Sequence, residues 1–188
     1  MDPVTDVMRL FPAQRAVREF ADREVDEATL RRVLQAAIHA PSGSNTQPWR
    51  FIVVRDRAMR EALDREYALA QGARSGAASD GPGVMAKAPV LIVPCVRVPE
   101  RTGQVGFQTG ASIYPACQNL MLAARALGLG TVLTTSHRVR SAEVSALLGV
   151  PAGWETAAII PLGWPTRRYG PNHRAPLDEA ICLDRWSD

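Results

Sequence analysis

Residues 40–51 read Ala40-Pro41-Ser42-Gly43-Ser44-Asn45-Thr46-Gln47-Pro48-Trp49-Arg50-Phe51. Two prolines bracket the stretch and fix its path, because each locks its own φ and pushes the preceding residue toward extended backbone. Between them Ser42, Ser44, Asn45 and Gln47 place hydroxyls and amides beside a bulky indole. That combination suits reading the polar edge of a flat heterocycle. Upstream, Leu30, Val33, Leu34, Ala37 and Ile38 have the spacing of an amphipathic helix, with Asp26 as its expected N-cap and Pro41 as its stop. Downstream, residues 50–54 are short and rich in β-formers, so the polar stretch is expected as a loop between a helix and a strand.

The alternation continues outward. Residues 57–70 return to helical spacing, whereas residues 71–83 carry Gly72, Gly76, Gly81 and Gly83 among small side chains. Such a stretch builds no core of its own, and residues 71–87 are expected as a flexible loop. Residues 89–96 form a continuous apolar run, the pattern of a buried central strand. Residues 108–127 are the longest helix candidate, closed by Gly128-Leu129-Gly130. A strand over 131–134, a helix over 141–148 capped by Ser141 and stopped by Gly149, and a strand over 156–162 follow. The segment 165–188 is expected as an extended tail. This order predicts one domain over residues 1–188 with helices stacked on a sheet, of α/β type by pattern alone.

Composition narrows the function. Of 188 residues, 46% are apolar and 22% charged, as in a core-forming chain, and no apolar run is long enough to span a bilayer. Cys95, Cys117 and Cys182 are odd in number and far apart, which suggests neither a disulfide framework nor a metal cluster and favours a reducing cytoplasm. All but one of the 22 basic residues are arginines, Lys87 being the exception, and they are scattered, so the net charge of +3 does not mark a nucleic-acid surface. No G-x-G-x-x-G turn, phosphate-binding G-x-x-x-x-G-K-[ST] loop, H-E-x-x-H, paired C-x-x-C or G-x-S-x-G elbow occurs. With these absent, a cofactor is expected to carry any chemistry, and no side chain is assigned as a catalytic nucleophile.

Residues 40–51 match, nearly letter for letter, the A-P-S-x-x-N-x-Q-P-W-x-F element of the FMN-dependent nitroreductase family, and Arg15-Ala16-Val17-Arg18 resembles that family's opening R-x-S-x-R element. The resemblance continues through residues 114–120, 122–130 and 160–165 and ends at Arg174-Ala175-Pro176-Leu177. It implies an α+β, three-layer sandwich with a mixed, mostly antiparallel sheet, and an intertwined homodimer with FMN at the subunit interface. The resemblance places Arg15 and Arg18 near the phosphate and the pyrimidine edge, with Arg174 completing a phosphate clamp. Pro41, Ser42, Gly43 and Asn45 of the other subunit line the isoalloxazine, and the backbone at Thr134 and Thr135 offers an amide near flavin N5. Ala16, Gln47 and Gly163 complete the implied cofactor-binding set. No metal is implied.

The implied activity is hydride transfer from NAD(P)H to the flavin and on, by a ping-pong cycle, to a flat electron-poor acceptor such as a nitroaromatic or quinone. Specialised chemistries of the same superfamily (dehalogenation, azoline oxidation, flavin fragmentation) and non-catalytic flavin sequestration are the alternatives. Gln14 and Ala16 depart from the opening element, which predicts weaker FMN retention. Trp49, Tyr114 and Cys117 are expected in the core or an interface, and His137 and His173 at the surface. Arg167 and Arg168 are expected in solvent, where either could meet the 2′-phosphate of NADPH.

Overall fold

The structure is a computed structural model that describes residues 3, 6–75, 83–99 and 106–186. Among them no helix is long and apolar enough to cross a membrane. A short helix, α1 (Val7–Ala13), is capped by Asp6, whose carboxylate accepts from the Met8 amide at 2.9 Å. Sequence spacing did not predict it, because none of its residues is buried within the chain. Helix α2 (Glu27–Ile38) follows, with Leu30, Val33 and Ala37 buried. Its cap is the expected Asp26, which the Thr29 amide and hydroxyl hold below the usual carboxylate range.

Strand β1 (Trp49–Val54) leads into α3 (Arg57–Ser75), and α4 (Val84–Lys87) precedes strand β2 (Val90–Arg97). The flexible loop expected over 71–87 is therefore helical at both ends, and residues 76–82 lie outside the described residues. The long helix α5 (Phe107–Ala126) ends where Gly128 turns left-handed at φ +88°. Beyond it come β3 (Gly130–Thr131), a 3-10 turn (Ser136–Arg140), α6 (Ser141–Leu148), β4 (Trp154–Thr156) and β5 (Ile160–Gly163). Ser141 opens α6 without capping it through its side chain, contrary to expectation, while Gly149 closes the helix at φ +64°.

All named strand pairs are antiparallel, in the order β1-β2-β5-β3 with β4 also on β2, and among the described residues a single parallel bridge joins Ala16 to Thr131. The chain is thus α+β, not the α/β type that element order alone suggests. The expected strand over 156–162 is two strands on one edge of β2, separated by residues 157–159. Pro94 explains the gap: its carbonyl accepts from the Ala157 amide at 2.8 Å, and its missing N–H faces the same interval. Ile159 turns instead to Thr134, exchanging two bonds of 2.9 and 3.1 Å. The strand expected over 131–134 is accordingly ladder only at Thr131, with an isolated bridge at Thr134.

Strand β2 is buried except at Arg97 and divides two cores. Val90, Ile92 and Val96 pack with α2 and α5 on one face, and Leu91, Val93 and Cys95 pack on the other, with Leu63 of α3, Met85 of α4 and Val144 of α6. Helices on both faces of a sheet make the three-layer sandwich that the resemblance implies. Trp49 (4% exposed) and Cys117 lie in the first core, as expected, whereas Tyr114 is 40% exposed. His137 is wholly buried, against the surface position expected for it, because the 3-10 turn after Thr135 carries it inward onto Thr156 of β4.

Candidate functional site

The 42–47 loop is held by its own polar atoms. The Ser42 hydroxyl accepts from the Gln47 amide at 3.0 Å, and the Thr46 amide and hydroxyl both donate to the Gly43 carbonyl, at 3.1 and 2.9 Å. Ser44, Asn45 and Gln47 have φ of +50°, +54° and +48°, a left-handed backbone that costs a non-glycine residue about 1–2 kcal/mol. Three such residues in four persist only where the surroundings over-determine them, as they commonly do at ligand sites. Here Trp49 anchors one end in the core, and the Gly43 amide reaches the Ser112 hydroxyl of α5 at 3.5 Å. Pro41, Gly43, Asn45 and Gln47 remain exposed and Ser42 half-buried, so the loop presents its amides outward.

A second group of predicted residues gathers around β3. The Val17 amide donates to the Thr131 carbonyl at 2.9 Å, and Val17 packs so tightly that a Cβ on Gly130 would fall 2.7 Å from it. This pins Ala16 and leaves Arg18 exposed. Arg15 donates to the carbonyls of Gly170 and Pro171 at 2.9 and 2.8 Å, which ties the tail down four residues before Arg174. Arg174 is exposed, with one bond to the His173 carbonyl at 2.7 Å. The Thr134 amide is spent on Ile159, and its hydroxyl donates to the Tyr67 phenol at 3.0 Å, leaving Thr135 at the turn as the next backbone donor. Gly163 is buried, and its lack of a side chain has a packing reason: a Cβ there would lie 2.6 Å from Pro89 and 2.9 Å from Phe20. His173 is exposed as expected, and Arg167, 3.5 Å from Glu19, also lies over Tyr169.

Helix α5 separates the two groups. The loop meets it at Ser112, while the opening element meets its far end, where Arg125 donates to the Ala13 carbonyl at 3.2 Å and Gln14 reaches the Met121 sulfur at 3.7 Å. At ~1.5 Å per residue, roughly 20 Å of helix lies between Ser112 and Arg125. A single chain therefore does not bring the 42–47 loop and the arginine element together.

Sequence reasoning missed two neighbours of these groups. Tyr67 and Gln71 of α3 support Thr134 from below, the Gln71 amide donating to the Tyr67 phenol at 2.8 Å. Beside the 42–47 loop, a cleft of about 590 Å³ takes Arg50, Arg97 and Trp154 into its walls. Arg50 sits within the quoted motif and was legible there, but nothing in the sequence joined it to Arg97 or Trp154.

The titratable groups rule out some chemistry. Burial pushes the thiols of Cys95 and Cys117 up to about 11 and about 12, so neither is a thiolate nucleophile near neutral pH. Burial pushes His137 down to about 4; its Nε2 lies 3.0 Å from the Thr156 hydroxyl and its Nδ1 has no hydrogen-bond partner among the described residues. A buried imidazole so placed is a neutral structural group, not a proton shuttle to solvent.

Residues 13–164 match the Nitroreductase family. The chain belongs to that family. It is 31% identical over 201 residues to an NADH dehydrogenase of Thermus thermophilus, covering 95% of this chain and 96% of that one. It is 33% identical over 175 residues to a 5,6-dimethylbenzimidazole synthase of Rhodospirillum rubrum, covering 85% and 82%. Among solved structures, oxidised iodotyrosine deiodinase bound to FMN and 3-iodo-L-tyrosine superposes with a TM-score of 0.77 at 23% identity, over 96% of this chain and 98% of that one. This nitroreductase-family chain thus shares its fold with proteins of differing activity, and the opening arginine element and the 42–47 loop both fall inside the matched span.

Proposed function

We propose that this member of the nitroreductase family is an FMN-dependent oxidoreductase that draws hydride from NAD(P)H and passes it to a flat, electron-poor acceptor, a nitroaromatic or a quinone. The observation that carries the reading is the strained, outward-facing 42–47 loop at one end of α5, with the arginine element at the other. The donor set fits the cofactor. Arg15, Arg18 and Arg174 supply guanidinium groups for a phosphate and for the electron-rich edge of a reduced ring. Pro41, Ser42, Gly43, Asn45 and Gln47 supply a rigid amide-bearing wall for a planar heterocycle, and the backbone at Thr134 and Thr135 a donor beside it. Of that last pair, Thr135 carries the role, since the Thr134 amide is already bonded.

When bound, FMN supplies two-electron chemistry at N5, with hydride arriving from NAD(P)H and leaving to the acceptor. The chain's own part is positioning: Arg15 and the tail fix the phosphate end, and the 42–47 loop fixes the ring without side-chain nucleophiles. Because the two groups stand roughly 20 Å apart along α5, a complete site takes one group from each of two copies, which is the reading for a homodimer. Exposed apolar side chains on α1 (Val7, Met8, Phe11), at Phe107 and along the tail (Leu177, Leu183, Trp186) supply surface for that partner.

An anaerobic absorbance titration of FMN-reconstituted protein tests the reading. A flavin band that bleaches with NADPH or NADH and returns on adding a quinone supports it. A bound flavin left oxidised by both donors overturns the reductase reading in favour of the specialised chemistry that the resemblance to dimethylbenzimidazole synthase makes the second reading. Failure to bind FMN overturns the cofactor reading.

A further inference from the structure

We infer that the cleft beside the 42–47 loop is a subsite for an aromatic carboxylate, held by Arg50, Arg97 and the indole of Trp154. Strand register brings the three together. Arg50 stands opposite Cys95, and Arg97 opposite Trp154. Because Cys95 and Arg97 are two residues apart on β2, all three side chains leave the Cys95 face of the sheet, and from their places near the strand ends the three residues also border the cleft. The guanidinium carbons of Arg50 and Arg97 lie 5.4 and 5.3 Å from the centroid of the Trp154 ring, within cation–π range.

What marks this cluster is that two guanidinium groups meet one indole with no carboxylate beside either among the described residues. Arg31, Arg55, Arg57, Arg138, Arg140 and Arg167 each have a carboxylate within 4.0 Å. Among the described residues neither Arg50 nor Arg97 has one. The neighbouring Glu155 is placed by strand alternation on the opposite face, where Arg138 holds it at 3.4 Å. Arg50 gives one bond to the Trp49 carbonyl at 2.9 Å and keeps its other donors open. Two like charges on one ring repel, and an anion bridging them removes that repulsion while gaining charge-assisted bonds.

The cleft also specifies the rest of the ligand. Among the described residues its charged lining is Arg50 and Arg97, with Gln47 and Thr46 on the loop side and Thr109 and Ser112 on the α5 side. A flat ring fits against the indole with its carboxylate between the guanidinium groups, and the cleft opens along Gly43 and Gln47. The anion site stands on this geometry alone; that its ligand is the electron acceptor rests on the flavin reading proposed above.

Isothermal titration of the FMN-loaded and the FMN-free protein with 2-naphthoate and 2-naphthamide, neither of which is redox-active, tests the site directly. Naphthoate is expected to bind about tenfold or more tightly than the amide, the range of one charge-assisted contact. Arg50→Gln and Arg97→Gln each remove most of that preference, Trp154→Phe weakens both ligands, and Arg31→Gln, remote on α2, keeps the preference intact. Equal binding of acid and amide, or a preference that survives both arginine variants, overturns the proposal. Inorganic phosphate displacing naphthoate at equal or lower concentration also overturns it, since the site then reads the anion and not the ring. With 4-nitrobenzoate and 4-nitrobenzamide as acceptors, the same preference is expected in KM and not in kcat. A protein that binds naphthoate but reduces neither nitro compound sinks the flavin reading and leaves the anion site standing.

Discussion

The two ends of α5 hold their exposed polar groups in opposite ways. At the Ser112 end, the 42–47 loop accepts left-handed backbone at three non-glycine residues and compensates with internal hydrogen bonds and one deeply buried tryptophan. At the Arg125 end, the opening element has no left-handed residue and the tail has one, Asp184 at φ +61°, and both are thinly held. Arg15 bonds two tail carbonyls, the Asn172 amide donates to Pro12, and beyond them Leu177, Leu183 and Trp186 stand 71–85% exposed. The first region is a finished surface built from local backbone. The second leaves large apolar side chains exposed.

The largest expected effect breaks the first region at its anchor. Trp49→Ala removes a fully packed indole and is expected to cost about 3–5 kcal/mol, read as a lowered urea midpoint with an unchanged slope. A loss under 1 kcal/mol would mean that the loop stands without its anchor.

Next comes acid sensitivity, set by His137 in the turn after Thr135. Its pKa falls from 6.5 to about 4 on folding because burial disfavours the charged ring. The unfolded chain thus binds the proton more readily. Stability from this group is complete above about pH 6.5 and is lost as pH falls toward about 4, by about 3 kcal/mol in all. His137→Gln flattens that part of the stability–pH curve, and an unchanged curve in the variant would assign the loss to other groups.

Arg15→Ala, the clip on the tail, is expected to cost about 1–3 kcal/mol in local stability. Faster hydrogen exchange confined to residues near Gly170 and Pro171 checks it; the same variant weakens FMN binding about tenfold if Arg15 holds the phosphate. The smallest effect sharpens the comparison: Ser44→Gly relieves left-handed strain and raises stability by up to about 1 kcal/mol. If thermal denaturation shows no gain or a loss, the serine side chain does something for the loop beyond tolerating its backbone.

Much of this was legible in the sequence because it is local. The Asp26 cap, the left-handed Gly149 stop and the buried run of β2 each follow from a few neighbouring residues and came out as expected. The opening element and the 40–51 stretch were enough to indicate the family. Apart from the missing Ser141 cap, a local matter, the failures named next share one cause. Helix α1 has no buried face of its own, the 156–162 strand is divided by an interval opposite Pro94, and His137 is buried by a turn that lands on a strand nineteen residues away. In each case the deciding partner is distant along the chain.

The sequence by itself determined which segments become helices and strands over most of the chain, and which residues carry amides and guanidinium groups, because propensity, capping and side-chain chemistry act within a turn or two. Only the tertiary structure decided that β2 divides two cores and that the sheet is antiparallel. It alone put the loop and the arginine element at opposite ends of α5, and it alone set Arg50, Arg97 and Trp154 around one cleft. Those are consequences of strand register and helix packing, which join residues that no local pattern relates.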